Sequence, residues 1–157
     1  MSYMFNECDY LSCIEEESRW NTDNVINMKS MFYGCIALNK LPKHFSEWNT
    51  SNVTDFSNMF YKCEYLTELP DISKWDTGKV KSLSGLFRDC ESLEKIPNIS
   101  GWNTENVSDM SYMFNNCSSL ENISDLSKWN TEKVINLRSM LILYQNYLIF
   151  LIGKLMK

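Results

Sequence analysis

The sequence is poor in the residues on which most catalytic and nucleotide-binding sites depend. Its 157 residues include one histidine, His44, which excludes a His-rich metal site or a multi-histidine catalytic centre. The five glycines form neither a G-x-G-x-x-G nor a G-x-x-x-x-G-K-[ST] motif, so the common phosphate-binding loops are excluded. Lysine and arginine are scattered and the net charge is −5, which argues against a nucleic-acid-binding surface. We therefore predict a non-enzymatic chain with no metal, no cofactor and no nucleic-acid partner.

What the sequence does have is an internal repeat with a period of 27 or 28 residues. Three residue types keep this period, at Trp20, Trp48, Trp75, Trp102 and Trp129, at Phe5, Phe32, Phe60, Phe87 and Phe114, and at Cys8, Cys35, Cys63, Cys90 and Cys117. A period of 20 to 50 residues is typical of solenoids and related repeat architectures. The sequence therefore predicts a single solenoid over residues 1–140, with about five repeats of which the first is partial.

The apolar spacing inside a unit predicts a chain that bends several times per repeat. In the unit that begins at Trp48, apolar residues lie three or four apart from Val53 to Ile72. This spacing fits neither a half-buried strand nor one straight helix. We predict an α/β repeat solenoid, with helical turns at M-F-x-x-C-x-x-L and a short parallel strand at L-x-x-[LI]-P. One extra residue in K-H-F-S-E predicts a loop there, with His44 exposed to solvent.

The five periodic cysteines occupy single core positions and form no C-x-x-C pair, so a metal site is not indicated. Parallel side chains on successive coils point the same way, which is poor geometry for a disulfide. We predict a row of buried free thiols. Cys13 lies outside the period and is the best candidate for a reactive thiol.

Three stretches show a family resemblance: W-N-T-S-N-V-T-D at 48–55, M-F-Y-K-C-E-Y-L-T-E-L-P-D-I-S-K-W at 59–75 and D-M-S-Y-M-F-N-N-C-S-S-L at 109–120. These units resemble the leucine-rich repeats of BspA-like surface proteins, a type first known from mycoplasma lipoproteins, and the resemblance covers about residues 1 to 140. It implies a right-handed leucine-rich-repeat-like coil stack and a cell-surface or extracellular location. It also implies adhesion or recognition of host or neighbouring-cell proteins, and no enzymatic activity.

Features at both ends of the sequence leave more than one interpretation of the chain. Residues 1–5 are identical to residues 110–114 and no export signal is recognisable, so we expect a fragment of a larger surface protein. The alternatives are an intracellular, cytoplasmic scaffold of the same fold and a non-functional gene fragment. The apolar tail 141–157 is interpreted as a cap on the last coil or a truncated end, and membrane association stays open. Exposed solenoid ends also allow end-to-end self-association.

The partner-binding face of a solenoid is expected on the variable residues beside the short strand. The repeat places eight residues there: Asn39, Lys40, Thr67, Glu68, Glu94, Lys95, Glu121 and Asn122. They mix both signs of charge and include no aromatic residue. The pattern therefore predicts a protein-binding face without indicating the type of ligand.

Overall fold

The computed structural model describes residues 1–140, which wind into a stack of coils. We number the coils from each tryptophan: coil 1 is 1–19, coil 2 is 20–47, coil 3 is 48–74, coil 4 is 75–101, coil 5 is 102–128 and coil 6 is 129–140. Backbone hydrogen bonds join equivalent parts of successive coils, such as Phe60 N to Leu86 O at 3.0 Å and Phe87 N to Met113 O at 2.9 Å. The predicted repeat solenoid is confirmed.

The secondary structure inside each coil is sparser than predicted. Within residues 1–140 the helices are two 3₁₀ segments, Lys43–Glu47 and Ile72–Lys74. Isolated parallel bridges take the place of continuous parallel strands and fall in two columns. The first column runs through Asp55, Ser82, Asp109 and Asn136. The second pairs Cys13 with Lys40 and, further along the stack, Glu68 with Lys95 and Lys95 with Asn122. The predicted parallel contact is present at L-x-x-[LI]-P, but it is one residue long.

The helical turns predicted for M-F-x-x-C-x-x-L were wrong, because left-handed residues interrupt this segment. In coil 3, Asn58 (φ 55°) and Lys62 (φ 58°) adopt positive φ, and equivalent pairs recur along the stack. A residue with positive φ cannot continue a right-handed helix. The segment is instead a series of tight turns, one of which is closed by the bond from Tyr61 N to Asn58 O at 3.2 Å. Every second N–H group of the segment bonds to a carbonyl of the next coil.

Short polar side chains fix the other bends of each coil. In coil 3 the side-chain oxygens of Asn49, Asp55 and Asp71 accept hydrogen bonds from the backbone N–H two residues on, at 3.1, 2.8 and 3.1 Å. Such Asx turns hold the backbone bent without a helix or strand. They explain why Asn or Asp recurs after each tryptophan.

The periodic apolar residues stack directly on one another in the core. The rings of Phe32, Phe60, Phe87 and Phe114 form the Phe ladder, with centroid distances of 5.7, 5.9 and 5.7 Å. All four are fully buried. Offset stacking at these distances adds to the area term for each pair. The repeat spacing thus places identical side chains in contact, as the sequence predicts.

The tryptophans form a second buried row that also bonds one coil to the coil before it. The indole Nε1 of Trp75, Trp102 and Trp129 donates to the carbonyl of the residue 30 positions earlier, at 3.0, 3.1 and 3.1 Å. Buried threonines link each coil to the one after it, as in Thr77 Oγ1 donating to Asn103 O at 2.9 Å. Each regular coil is therefore held to its neighbours by both apolar packing and side-chain hydrogen bonds.

Coil 2, which carries the extra residue, departs from this pattern and corrects two predictions. The K-H-F-S-E segment is a 3₁₀ helix rather than a loop, with Phe45 fully buried. His44 is 8% exposed, and its Nε2 lies 2.8 Å from Ser18 O. In the regular coils each indole N–H bonds to the carbonyl 30 residues earlier, and for Trp48 that carbonyl belongs to Ser18. The His44 ring is hydrogen-bonded to this carbonyl instead. Trp48 Nε1 is buried without a hydrogen-bond partner.

Candidate functional site

The eight residues predicted as a binding face lie together on one exposed surface, which we call the polar column. It comprises Asn39, Lys40, Thr67, Glu68, Glu94, Lys95, Glu121 and Asn122, all exposed. Parallel bridges join Glu68 to Lys95 and Lys95 to Asn122. Backbone bonds from Glu94 N to Thr67 O at 3.1 Å and from Glu121 N to Glu94 O at 3.2 Å keep neighbouring coils in register. The binding role of the column stays a prediction.

The four buried cysteines are expected to be unreactive. The thiols of Cys35, Cys63, Cys90 and Cys117 donate to the carbonyls of Phe5, Phe32, Phe60 and Phe87 at 3.0 to 3.2 Å. Burial raises the pKa of Cys35 and of Cys117 to about 12, and it raises the pKa of Cys63 and Cys90 well above the usual value. A thiol held protonated is a poor nucleophile and a poor metal ligand. These four residues belong to the core.

Cys13 lies at the coil 1 end of the polar column. It is exposed and forms a parallel bridge with Lys40. Its accessibility agrees with the sequence interpretation, and its reactivity stays a prediction. Within residues 1–140 no group of three or more His, Cys, Asp or Glu side chains is arranged to hold a metal ion.

A second row of surface residues, most of them partly exposed, was missed by sequence reasoning. We call it the Tyr–Arg ladder, and one residue from each of coils 2 to 6 contributes to it: Tyr33, Tyr61, Arg88, Tyr112 and Arg138. The rings of Tyr33 and Tyr61 stack at 4.6 Å. The Arg88 guanidinium lies between two rings, 5.2 Å from the centroid of Tyr61 and 4.7 Å from that of Tyr112. The Arg138 guanidinium lies 5.8 Å from the centroid of the same Tyr112 ring.

The charges around this ladder are mainly positive. Lys62 Nζ lies 5.8 Å from the Tyr61 ring centroid, adding a third cation. Asp89 Oδ2 is 3.7 Å from Arg88 Nε, which is an ion pair but too long for a hydrogen bond. Burial and the nearby Asp89 carboxylate raise the pKa of Tyr61, outweighing the opposite effect of Arg88 and Lys62. The Tyr61 hydroxyl therefore stays a hydrogen-bond donor at neutral pH.

The hollow beside coil 2 offers no comparable chemistry. It is lined by charged residues of both signs together with His44 and Ser46. Arg19 and Glu47 form a salt bridge of 3.2 Å there, with both side chains more than two-thirds exposed. Such exposed pairs contribute little to stability. Lys43 N donates to Glu16 Oε2 at 3.3 Å, so this carboxylate helps to bind the 3₁₀ helix to coil 1.

No helix in residues 1–140 combines the length and the apolar character needed to cross a bilayer. The apolar tail 141–157, interpreted above as a cap or truncated end, lies outside the described residues.

The fold defines a repeat solenoid, and comparison with known families identifies which one. Residues 1–96 and 65–147 match the family described as "Mycoplasma protein of unknown function, DUF285", and the chain belongs to this family. No curated protein matches the chain significantly.

Two solved structures show a partial likeness. The leucine-rich repeat protein TpLRR of T. pallidum is 15% identical with a TM-score of 0.44, over 78% of this chain and 60% of that one. A leucine-rich repeat protein from Bacteroides ovatus is 18% identical with a TM-score of 0.39, over 91% of this chain and 48% of that one. This chain thus spans less than two-thirds of the length of either protein.

Proposed function

We propose that this chain is a non-enzymatic protein-recognition module of a cell-surface repeat protein. One observation carries the proposal: the buried ladders fix a frame in which exposed positions are free to change from coil to coil. The position of Lys40 in the repeat is taken by Glu68, Lys95 and then Asn122. All four are exposed, and parallel bridges join the last three. A rigid stack with a variable face is how repeat solenoids present extended binding surfaces.

The resemblance of the repeats to BspA-like surface proteins supports the adhesion role and the surface location. Labelling intact cells of the source organism with a biotin reagent that cannot cross membranes tests the location. We expect the protein to be labelled, while an internal marker is not. Labelling only after cell lysis would contradict a surface location and favour the cytoplasmic scaffold.

Peptide selection tests recognition itself. The purified chain is immobilised and challenged with a displayed library of random 15-residue peptides, with an unrelated acidic protein of similar mass as the control. We expect enrichment of a related set of peptides that bind the soluble chain saturably, measured by fluorescence anisotropy. Selection no different from the control protein would contradict a peptide- or protein-binding role.

A further inference from the structure

The Tyr–Arg ladder gathers on one surface the residue types that carry most of the binding energy in protein interfaces. Tyrosine and arginine are enriched among interface hot spots. Each of the five side chains packs against the next, from the 4.6 Å contact of Tyr33 with Tyr61 to the 5.8 Å contact of Arg138 with Tyr112. Side chains already ordered by such stacking lose less conformational freedom when a partner binds.

The arginines of the ladder retain hydrogen-bonding capacity toward a partner. Within residues 1–140 neither guanidinium donates a hydrogen bond to a protein acceptor. Arg88 Nε is buried, but the Arg88 side chain as a whole is 36% exposed, which leaves its outer N–H groups for a partner. A guanidinium carries five N–H donors and pairs in a bidentate manner with a carboxylate. The arrangement is therefore complementary to carboxylate groups.

Local charge favours the same kind of partner. Three cations, Lys62, Arg88 and Arg138, lie along the ladder. Two carboxylates accompany them, that of Asp89 beside Arg88 and that of Glu7, whose backbone N–H bonds to Tyr33 O. The whole chain has a net charge of −5, so this strip is positive on an acidic protein. Opposite charge steers association and selects partners. A long row of nucleic-acid phosphates would meet the acidic remainder of the surface, whereas a short acidic protein segment would not.

The separation of the two arginines has an upper limit with which an extended segment is compatible. Their guanidinium carbons lie 4.7 and 5.8 Å from the same Tyr112 ring centroid, so they are at most about 10.5 Å apart. In a polyproline II helix, side chains three residues apart share one face and lie about 9 Å apart. Aromatic surfaces also favour the proline rings of such helices.

We propose that the Tyr–Arg ladder binds an acidic, extended segment of a partner protein, with carboxylates three residues apart on Arg88 and Arg138 and the intervening residues on the tyrosine rings. This proposal rests on the proposed function and names the surface and the partner class. It places the main contacts on the Tyr–Arg ladder rather than on the polar column.

Fluorescence anisotropy with labelled peptides of defined sequence tests the proposal on the full chain. The probe is (Glu-Pro-Pro)₄, and its matched controls are (Gln-Pro-Pro)₄ and (Lys-Pro-Pro)₄. We expect the glutamate peptide to bind at least tenfold more tightly than either control. R88A and R138A should each weaken its binding about tenfold or more, because each removes one charge-assisted pair. Arg88→Lys should restore only part of the binding, since lysine keeps the charge without the planar fork.

A variant outside both surfaces serves as the control. The double substitution E17K/K128E exchanges two exposed charges that belong to neither the Tyr–Arg ladder nor the polar column, and it should change binding of the glutamate peptide by less than twofold. Unchanged circular dichroism and thermal midpoints verify that all variants fold. Thymidine 12-mer DNA, the fourth probe, should bind more weakly than the glutamate peptide.

Several outcomes would overturn the proposal. Equal binding of the glutamate and glutamine peptides would show that charge plays no role. Loss of binding in the triple variant K40E/E68K/K95E, which alters the polar column, but not in R88A would move the binding site to the polar column. Tighter binding of the DNA would replace the acidic protein segment with nucleic acid. If the random library yields binders that are neither acidic nor sensitive to R88A, this inference fails while the proposed function stands. If the library yields none and the glutamate peptide does not bind, both fail.

Discussion

Two rows of stacked side chains, the buried Phe ladder and the partly exposed Tyr–Arg ladder, use the same coil spacing with different results. Inside, identical phenylalanines repeat at 5.7 to 5.9 Å and are fully buried. Outside, a pair of tyrosines is followed by alternating arginine and tyrosine, with contacts of 4.6 to 5.8 Å, and these side chains stay partly in water. Close packing in the core requires a side chain of the same shape in every coil, whereas on the surface any side chains that attract one another can stack. The difference separates the residues that stabilise the stack from those available for recognition.

The largest expected effect comes from breaking the inner ladder. Phe87→Ala removes a fully buried ring that stacks on Phe60 and Phe114, and leaves a cavity in the core. We expect its free energy of unfolding to fall by about 3–5 kcal/mol. Tyr61→Ala, its surface counterpart, should cost about 1 kcal/mol, in the range of one aromatic contact. Urea unfolding followed by tryptophan fluorescence measures both, and equal losses would erase the distinction between the two ladders.

Alkaline pH should weaken the inner rows through their thiols. Burial raises the pKa of Cys117 from 9.0 to about 12, so the folded state holds the proton that the unfolded state releases. The resulting stability is complete below pH 9 and is lost as the pH rises toward 12. At pH 10.5 this thiol alone should lower the free energy of unfolding by about 2 kcal/mol.

The measurement for this prediction is the change in unfolding free energy between pH 8 and pH 10.5. Cys117→Ala should make that change smaller, whatever its effect at pH 8. Cys13→Ala, which alters an exposed thiol, is the matched control and should leave the change as it is. Parallel pH profiles for the wild-type chain and Cys117→Ala would show that the buried thiol does not contribute.

The sequence predicts the inner rows well because burial forces a residue to recur. Trp75, Phe60 and Cys63 could be assigned to the core from their period alone, and all three are buried. The left-handed turns were missed because positive φ falls on residues as different as Lys62 and Asp89, which carry no common sequence signal.

The Tyr–Arg ladder was missed for a different reason. Tyr61 and Arg88 occupy equivalent repeat positions, but Tyr112 lies three positions earlier in its coil, so the row does not keep the period. Long side chains reach across that offset in space. An alignment of the repeats that looks for identical residues passes over it. The polar column, by contrast, follows the period closely and could be placed from sequence.

Within the inner rows, the tryptophans allow a sharper comparison between regular and irregular coils. Trp102 Nε1 donates to Ile72 O at 3.1 Å, while Trp48 Nε1 is buried without a partner. Trp102→Phe removes one of the two hydrogen bonds to Ile72 O, which also accepts from Trp75 N, and should lower stability by about 1 kcal/mol more than Trp48→Phe does. Chemical denaturation of the two variants measures the difference. A cost for Trp48→Phe as large as that for Trp102→Phe would mean that the indole N–H bond does not stabilise the regular coils.

The smallest effect is expected where the outer surface is changed most. The triple variant K40E/E68K/K95E reverses three charges on the polar column, yet these side chains form no hydrogen bond or salt bridge within residues 1–140. The stability of the triple variant should stay within about 0.5 kcal/mol of the wild-type value, as for surface substitutions in general. Thermal unfolding at low and high salt measures this, with Phe87→Ala as the positive control. A loss near that of Phe87→Ala would mean that the exposed columns help to hold the stack together, and the separation between a fixed interior and a variable face would no longer hold.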